Sequence, residues 1–197
     1  AFKSSIVNAG AQSIMTAYNA LNGIPCTANN FLLQDILRNE WNFPGWVVTD
    51  CGAIYDIHIN HKYIIDPVEA VAASLKAGTD LNCGSSFRFY LHEAFERGLV
   101  NMKDIDQALI RLFISRIKLG VFDPPEMNPY SKISLDVVDS EKHQSLAHEI
   151  AKQSIVLLKN DNNILPLKKT VKSIAVIGPN ANFSRFGTYS GKPSINI

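Results

Sequence analysis

Residues 45–52 read GWVVTDCG, a short apolar run that ends on a single acidic residue and is followed by a turn-forming pair. The apolar residues 46–48 predict a buried strand, and Gly52 predicts a turn directly after it. A buried parallel strand that ends on a carboxylate presents this group at the sheet edge where α/β enzymes carry their chemistry. Asp50 is therefore a candidate nucleophile. The alternative interpretation is an aspartate that caps the next turn or helix.

Strand and helix patterns alternate on both sides of this stretch. The predicted strands are 13–18, 46–48 and 80–83. Between them, one helix is predicted to begin near Asn29, and a second begins at Pro67 and ends at Gly78. Residues 52–66 are expected to form a loop. Strand–helix repeats of this kind are typical of parallel βα units, so the fold class is predicted to be α/β.

The second half of the chain begins with two more predicted helices. One covers residues 87–97, and the next starts at Asn101, with Asp104 placed three residues later as in a capping box. Residues 122–139 are rich in turn-forming prolines and are predicted to be a linker. A helix capped by Ser140 and a buried strand over 174–177 are expected after it.

Composition excludes several classes of function. The 197 residues carry a formal net charge of +1, and they contain no basic cluster that would indicate nucleic acid or an anionic membrane as a partner. No apolar run reaches a transmembrane length. The three cysteines match no zinc-site spacing, and we expect no metal and no cofactor. Cys51 and Cys83 each lie beside the end of a predicted strand, and we expect them to be free thiols, with a disulfide between them as the alternative.

Six segments of the chain together resemble glycoside hydrolase family 3, in particular its β-xylosidase and β-glucosidase members. In order they are SIMTAYNALNGIPC (13–26), GWVVTDCG (45–52), AGTDLNCG (77–84), LGVFDP (119–124), SIVLLKN (154–160) and IAVIGPNA (174–181). The resemblance covers essentially the whole chain. The paired TDCG and DLNCG motifs are more similar to the β-xylosidase-like members.

The resemblance implies a domain organisation. Residues 1–121 would be the C-terminal part of a (β/α)8-type barrel catalytic domain, 122–139 an interdomain linker, and 140–197 the start of an α/β sandwich domain. Because about eight strands are needed to close a barrel, the chain is expected to be a fragment that folds poorly by itself.

The resemblance also implies the chemistry of a retaining exo-β-glycosidase, with an oligosaccharide or glycoside as substrate. Such enzymes use two carboxyl groups about 5–5.5 Å apart, one of which forms a covalent glycosyl intermediate. Asp50 stands where the family has this nucleophile, and the general acid/base would lie outside this chain. Tyr18 and Met15 stand where the family lines its sugar subsite. His58 is expected either to reach the sugar or to lie in a solvent-facing loop, and Asp80 is expected to be structural.

Other interpretations remain at this stage. The resemblance leaves the substrate open between a β-xyloside and a β-glucoside, because the two sugars differ at one carbon and a small group there changes discrimination by only about 1–3 kcal/mol. A catalytically inactive carbohydrate-binding or scaffold homologue would keep the same motifs. An unrelated lyase or aldolase barrel would require a lysine or metal ligands at the strand ends, and the predicted strands end in neither. The oligomeric state stays open, as does the compartment, with secretion or a periplasmic location as the alternatives to the cytoplasm.

Overall fold

The computed structural model describes residues 1–183 and 186–191. These residues form two units, Ala1–Asn128 and Pro129–Ile197. The first unit combines parallel strands with helices and contains every buried residue among the described ones. It therefore has the α/β character that the alternating sequence pattern predicts.

A small parallel sheet lies at the centre of the first unit. Its strands are β1 (Ser13–Thr16) and β4 (Trp46–Thr49), whereas β2 (Ala20–Leu21) and β3 (Ile24–Pro25) pair with each other as a separate antiparallel sheet. β1 pairs with β4 in parallel, with Ser13 opposite Trp46 and Thr16 opposite Thr49. Leu81 forms a parallel bridge to Val48. Because β1 occupies one edge of β4, Leu81 lies at the other edge, and β4 becomes the middle of the sheet.

The helices of the first unit surround this sheet. Two segments are π-helical, Ser4–Asn8 and Phe31–Glu40. The α-helices are α1 (Ala53–Ile59), α2 (Pro67–Ala77), α3 (Ser86–Glu96) and α4 (Met102–Lys118). The predicted helix ends are confirmed at α2, which has Pro67 in its first turn and a left-handed Gly78 at its end. The predicted capping box of α4 is also confirmed, with Asn101 and Asp104 bonding each other's backbone amides.

Three apolar clusters hold these elements together. The first joins the sheet to the π-helix through Val47, Leu33 and Leu37. The second lies between α2, α3 and α4, and the third between α1 and α2. Val47 is fully buried, in agreement with the buried strand that the sequence predicts for residues 46–48.

Two expectations about this unit are wrong. Residues 52–66 do not form only a loop, because Ala53–Ile59 is helix α1. Its buried face carries Ile54 and Ile57, both at 0% exposure, three residues apart as helical packing requires. Residues 80–83 contribute a single bridge at Leu81 instead of a regular strand. In the described part of the chain no further strand pairs with them, so no ladder extends the bridge.

The second unit contains helix α5 (Glu141–Ser154) and short 3-10 turns. Ser140 is the residue that precedes α5, as predicted, although its side chain makes no capping hydrogen bond. The strand predicted over 174–177 is absent from the described residues, and Ile177 is 89% exposed. A strand requires a neighbouring strand for its backbone hydrogen bonds, and the described residues of this unit supply none.

Candidate functional site

Asp50 lies at the carboxyl end of the parallel sheet. Its backbone amide donates to the carbonyl of Thr16, the last residue of β1, at 3.2 Å, so the two strands end side by side. Residue 50 is half-buried. Its carboxylate accepts a hydrogen bond from the amide of Cys51, with 2.7 Å between Oδ1 and N. Gly52, not Asp50, is the residue that precedes α1, and this glycine has the left-handed φ of 86°. Asp50 therefore does not cap the helix that follows it.

Cys51 and Cys83 form a disulfide, which corrects the expectation of free thiols. The two residues lie 32 positions apart in the sequence, and their Cα atoms are 4.4 Å apart. Gly52 donates its amide to the Cys83 carbonyl at 2.8 Å, and the Cys83 amide donates to the buried Thr49 hydroxyl at 3.0 Å. The disulfide thus joins the turn after β4 to the segment that follows Leu81.

Cys26 is the free cysteine among the described residues, and it is buried. Burial raises the pKa of its thiol above the usual value. Such a thiol is neutral and unreactive near neutral pH. It has the structural role that the sequence had suggested for the other two cysteines.

Tyr18 approaches the same turn from the end of β1. Its hydroxyl donates to the carbonyl of Cys51 at 2.7 Å. A ring nitrogen of His61, Nε2, lies 2.7 Å from the carbonyl of Tyr18. The structure thus brings the Tyr18 side chain to the turn that follows Asp50. The Tyr18 hydroxyl bonds the backbone of Cys51, the residue after Asp50.

Met15 and His58 have different surroundings from Tyr18. Met15 is 57% exposed and lines an apolar groove of about 280 Å³ together with Leu33 and Trp41. His58 lies on α1, where its ring meets that of Tyr55 edge-on at 4.9 Å between centroids. Its Nδ1 atom is buried and has no hydrogen-bond partner among the described residues. The roles of Met15 and His58 in binding the sugar stay predictions.

His61 makes a contact with the Tyr18 backbone that the sequence did not predict. Both histidines lie in the segment that was predicted to be a loop. Only the fold of α1 separates them, since it places His58 within the helix and His61 just beyond its end. The bond from His61 to the Tyr18 backbone joins residues 43 positions apart, and no local pattern signals it.

Asp80 is buried and paired, as expected for a structural residue. Its Oδ2 accepts from the Val47 amide and from Arg38, both at 2.8 Å, and its Oδ1 accepts from Arg111 at 2.9 Å. Its side chain is 1% exposed. Burial raises the pKa of this carboxyl, and the Val47 amide and the two guanidinium groups act in the opposite direction. Every oxygen of the carboxylate is thus engaged in the protein interior.

The described residues offer no group of three or more His, Cys, Asp or Glu side chains that could hold a metal ion. Nor does this part of the chain contain a helix with the length and apolar character required to cross a membrane.

Comparison with known proteins places this geometry in a family. Residues 1–114 match the glycosyl hydrolase family 3 N-terminal domain, which is more than half of the chain. The chain belongs to glycosyl hydrolase family 3. Residues 155–197 match the C-terminal domain of the same family.

The curated family 3 relatives include fungal and bacterial proteins. A probable exo-1,4-β-xylosidase of Aspergillus clavatus is 48% identical over 197 residues, which is 98% of this chain and 25% of that protein. A xylan 1,4-β-xylosidase of Xylanibacter ruminicola is 42% identical over 200 residues, covering 100% of this chain and 23% of its own length. The chain thus spans about a quarter of the length of these relatives.

Solved structures of the family have the same fold. A family 3 exo-β-xylosidase in complex with a xylobiose aziridine activity-based probe aligns with a TM-score of 0.83 and 44% identity, over 92% of this chain and 24% of that one. A β-glucosidase from Listeria innocua aligns with a TM-score of 0.73 and 31% identity, over 85% of this chain and 23% of that one. A family 3 exo-β-xylosidase and a β-glucosidase are thus both structurally similar to this chain.

Proposed function

We propose that this chain is part of a retaining exo-β-glycosidase that removes β-xylosyl units from xylo-oligosaccharides, with Asp50 as its nucleophile. The observation that carries the proposal is the position of Asp50 at the carboxyl end of the parallel sheet, half-buried and oriented by the Cys51 amide. The similarity to proteins named exo-1,4-β-xylosidases favours a xyloside over a glucoside.

The same proposal includes the domain organisation. Residues 1–121 form the C-terminal part of a barrel catalytic domain, 122–139 the linker and 140–197 the start of a sandwich domain. The parallel pairing of β1 with β4 and of Val48 with Leu81 supports the barrel assignment, because barrel strands are all parallel. Since a disulfide is typical of proteins in oxidising compartments, Cys51–Cys83 favours a secreted or periplasmic enzyme.

The mechanism follows from these positions. An oxygen of the Asp50 carboxylate attacks the anomeric carbon, a covalent ester forms, and the bond to the leaving oxygen breaks. A general acid outside this chain protonates the leaving oxygen and then, as a base, activates the water that hydrolyses the ester. Tyr18, Met15 and His58 are assigned to the sugar subsite. No metal or organic cofactor is required for these steps.

The test uses the complete enzyme that carries this chain. Incubation with 2-deoxy-2-fluoro-β-xylosyl fluoride traps the glycosyl intermediate, and mass spectrometry of the digested protein locates the label. We expect one label per active site, on Asp50. The variant Asp50→Gly should lose hydrolysis and the label, and added azide should restore turnover with a glycosyl azide of the opposite anomeric configuration as product. The exposed Asp136→Gly is the matched control and should label normally.

Each outcome of this experiment has a distinct meaning. Labelling of Asp50 by the 2-fluoroglucosyl reagent but not by the xylosyl one would keep the mechanism and change the substrate to a β-glucoside. Labelling of another carboxylate would overturn the assignment of Asp50. A folded protein that neither reagent labels would instead be the inactive carbohydrate-binding homologue.

A further inference from the structure

Cys51 is the residue through which the Asp50 carboxylate is oriented. The Asp50 carboxylate accepts a hydrogen bond from the Cys51 amide, with 2.7 Å between N and Oδ1. This bond depends on the plane of the peptide between residues 50 and 51. Any rotation of that peptide would therefore turn the carboxylate away from its present direction.

Three contacts hold this peptide segment in place. The Cys51 side chain forms the disulfide with Cys83, and the backbone carbonyl of Cys51 accepts from the Tyr18 hydroxyl at 2.7 Å. The adjacent amide of Gly52 donates to the Cys83 carbonyl at 2.8 Å. The disulfide and the Gly52 bond both reach the same residue of the neighbouring segment, so their effect depends on how firmly Cys83 is fixed.

Cys83 is anchored to the sheet itself. Its amide donates to Thr49 Oγ1 at 3.0 Å, and the Thr49 side chain is fully buried at the end of β4. Asn82 also donates to the Thr49 hydroxyl, at 3.3 Å. The disulfide therefore connects an exposed turn to a point that the core of the sheet already fixes.

The turn contains one glycine in a left-handed conformation. Gly52 has a φ of 86°, a conformation that glycine adopts freely, and it lies directly after the disulfide-bonded residue. Glycine also permits many other conformations. Without a covalent connection, the turn would populate several orientations of the Cys51 peptide.

We propose that the Cys51–Cys83 disulfide is a positioning device for the Asp50 nucleophile, and that its loss slows the attack on the sugar without weakening sugar binding. The inference rests on the proposed function of Asp50. Misplacement of a reacting group by about 1 Å can reduce a rate by about 100-fold. Neither cysteine needs to touch the substrate for this effect.

The experiment measures inactivation of the complete enzyme by the 2-deoxy-2-fluoroglycosyl fluoride that labels the wild type. Fluoride is a good leaving group that needs little acid assistance, so the limiting inactivation rate constant reports on the nucleophile. The reagent dissociation constant reports on binding. The variant is Cys51→Ser combined with Cys83→Ser, and the control is Cys26→Ala, which removes the buried free thiol.

We expect the double variant to lose at least about tenfold in the limiting rate constant, with the dissociation constant within about threefold of the wild-type value. The Cys26→Ala variant should match the wild type in both quantities. A folded double variant with an unchanged rate constant would overturn the inference. A variant in which only the dissociation constant changes would also overturn it.

A second measurement applies where the double variant does not fold. The folded Cys26→Ala enzyme is reduced with a soluble phosphine, and peptide mapping after alkylation verifies that Cys51 and Cys83 are open. The rate constant should fall on reduction and return on reoxidation. An unchanged rate constant after verified reduction overturns the inference. Absence of a label in the untreated wild type overturns the proposed function, and this inference with it, before any disulfide is altered.

Discussion

The Tyr18 hydroxyl donates its hydrogen to a backbone carbonyl in the turn after Asp50. The acceptor is Cys51, so the phenol fixes the residue whose amide orients Asp50. The structure thus gives the tyrosine a physical role that the family resemblance alone does not specify. The side chain is 46% exposed.

Tyr18→Phe removes this donor and keeps the ring. A neutral hydrogen bond contributes about 0.5–1.5 kcal/mol, so we expect kcat of the complete enzyme to fall about 2- to 10-fold, with a smaller change in KM. Steady-state kinetics with an aryl β-xyloside measures both constants. Tyr55→Phe is the matched control on α1 and should leave kcat unchanged. A change in KM alone for Tyr18→Phe would instead assign the hydroxyl to ground-state sugar binding.

Among the elements, β4 is held by hydrogen bonds and ion pairs from several neighbours. Asp80 connects it to the π-helix through Arg38 and to α4 through Arg111, and it accepts the Val47 amide directly. Arg38 also donates to the carbonyls of Phe43 and Gly45, just before the strand begins. The position of the strand that ends at Asp50 thus depends on a buried charge cluster.

Asp80→Asn would leave two arginines facing a neutral amide in the interior. Removal of one partner from a buried ion pair is destabilising by about 3–5 kcal/mol, and we expect a loss of this size in the free energy of unfolding. Urea unfolding of the complete enzyme measures it. Glu40→Gln, in the exposed pair with Lys3, is the control and should change stability little. Equal effects of the two substitutions would contradict the role assigned to the buried cluster.

The start of α2 carries a pH-dependent contact. Asp66 bonds Arg97 at 2.8 Å, and it accepts the Val68 amide at the same distance. Arg97 is the main cause that holds the pKa of Asp66 below its usual value, with the Val68 amide second.

A carboxyl with a lowered pKa stabilises the folded state above its unfolded pKa, and this contribution is lost as the pH falls through the folded value. Asp66→Asn keeps an acceptor for the cap but loses the charge. We expect the difference in Tm between wild type and variant to be largest near neutral pH and to shrink in acid. Scanning calorimetry over a pH series tests this. A difference in Tm that does not vary with pH would show that the negative charge of Asp66 contributes no stability through Arg97.

For the whole molecule, the two units differ in what they bury. The first unit has three apolar clusters, whereas none of the described residues from 129 onward is buried. Leu135, Leu158 and Ile177 are between 87% and 92% exposed. Side chains of this kind require partners from elsewhere, since each would gain about 1.5–3 kcal/mol on burial.

The 197-residue chain expressed alone is therefore expected to expose apolar surface. We predict strong binding of a hydrophobic dye such as ANS, and no cooperative unfolding transition for the second unit. Dye fluorescence and calorimetry measure these properties, with the complete enzyme as the reference. A monodisperse monomer with a single cooperative transition would contradict the prediction.

Local sequence patterns predicted much of the fold because their causes are local. The Asn101–Asp104 capping box, the Pro67 start and the Gly78 end of α2 each depend on residues within one turn of helix. Helix α1 was not predicted because its segment is rich in polar residues, which are typical of a loop. Its apolar spacing at Ile54 and Ile57 was the signal that could have found it.

The sequence by itself determined the buried strand that leads to Asp50 and the βα alternation around it, whereas the structural character expected for Asp80 came from the family resemblance. A run of apolar residues favours burial because of its own side chains, so its burial can be predicted without knowing which segment packs against it. Only the tertiary structure decided that Cys51 pairs with Cys83, that Tyr18 bonds the Cys51 carbonyl and that His61 bonds the Tyr18 backbone. These contacts join residues 32 to 43 positions apart. They exist because β1, β4 and the Leu81 segment end at the same edge of one sheet, a coincidence in space that no neighbouring residue encodes.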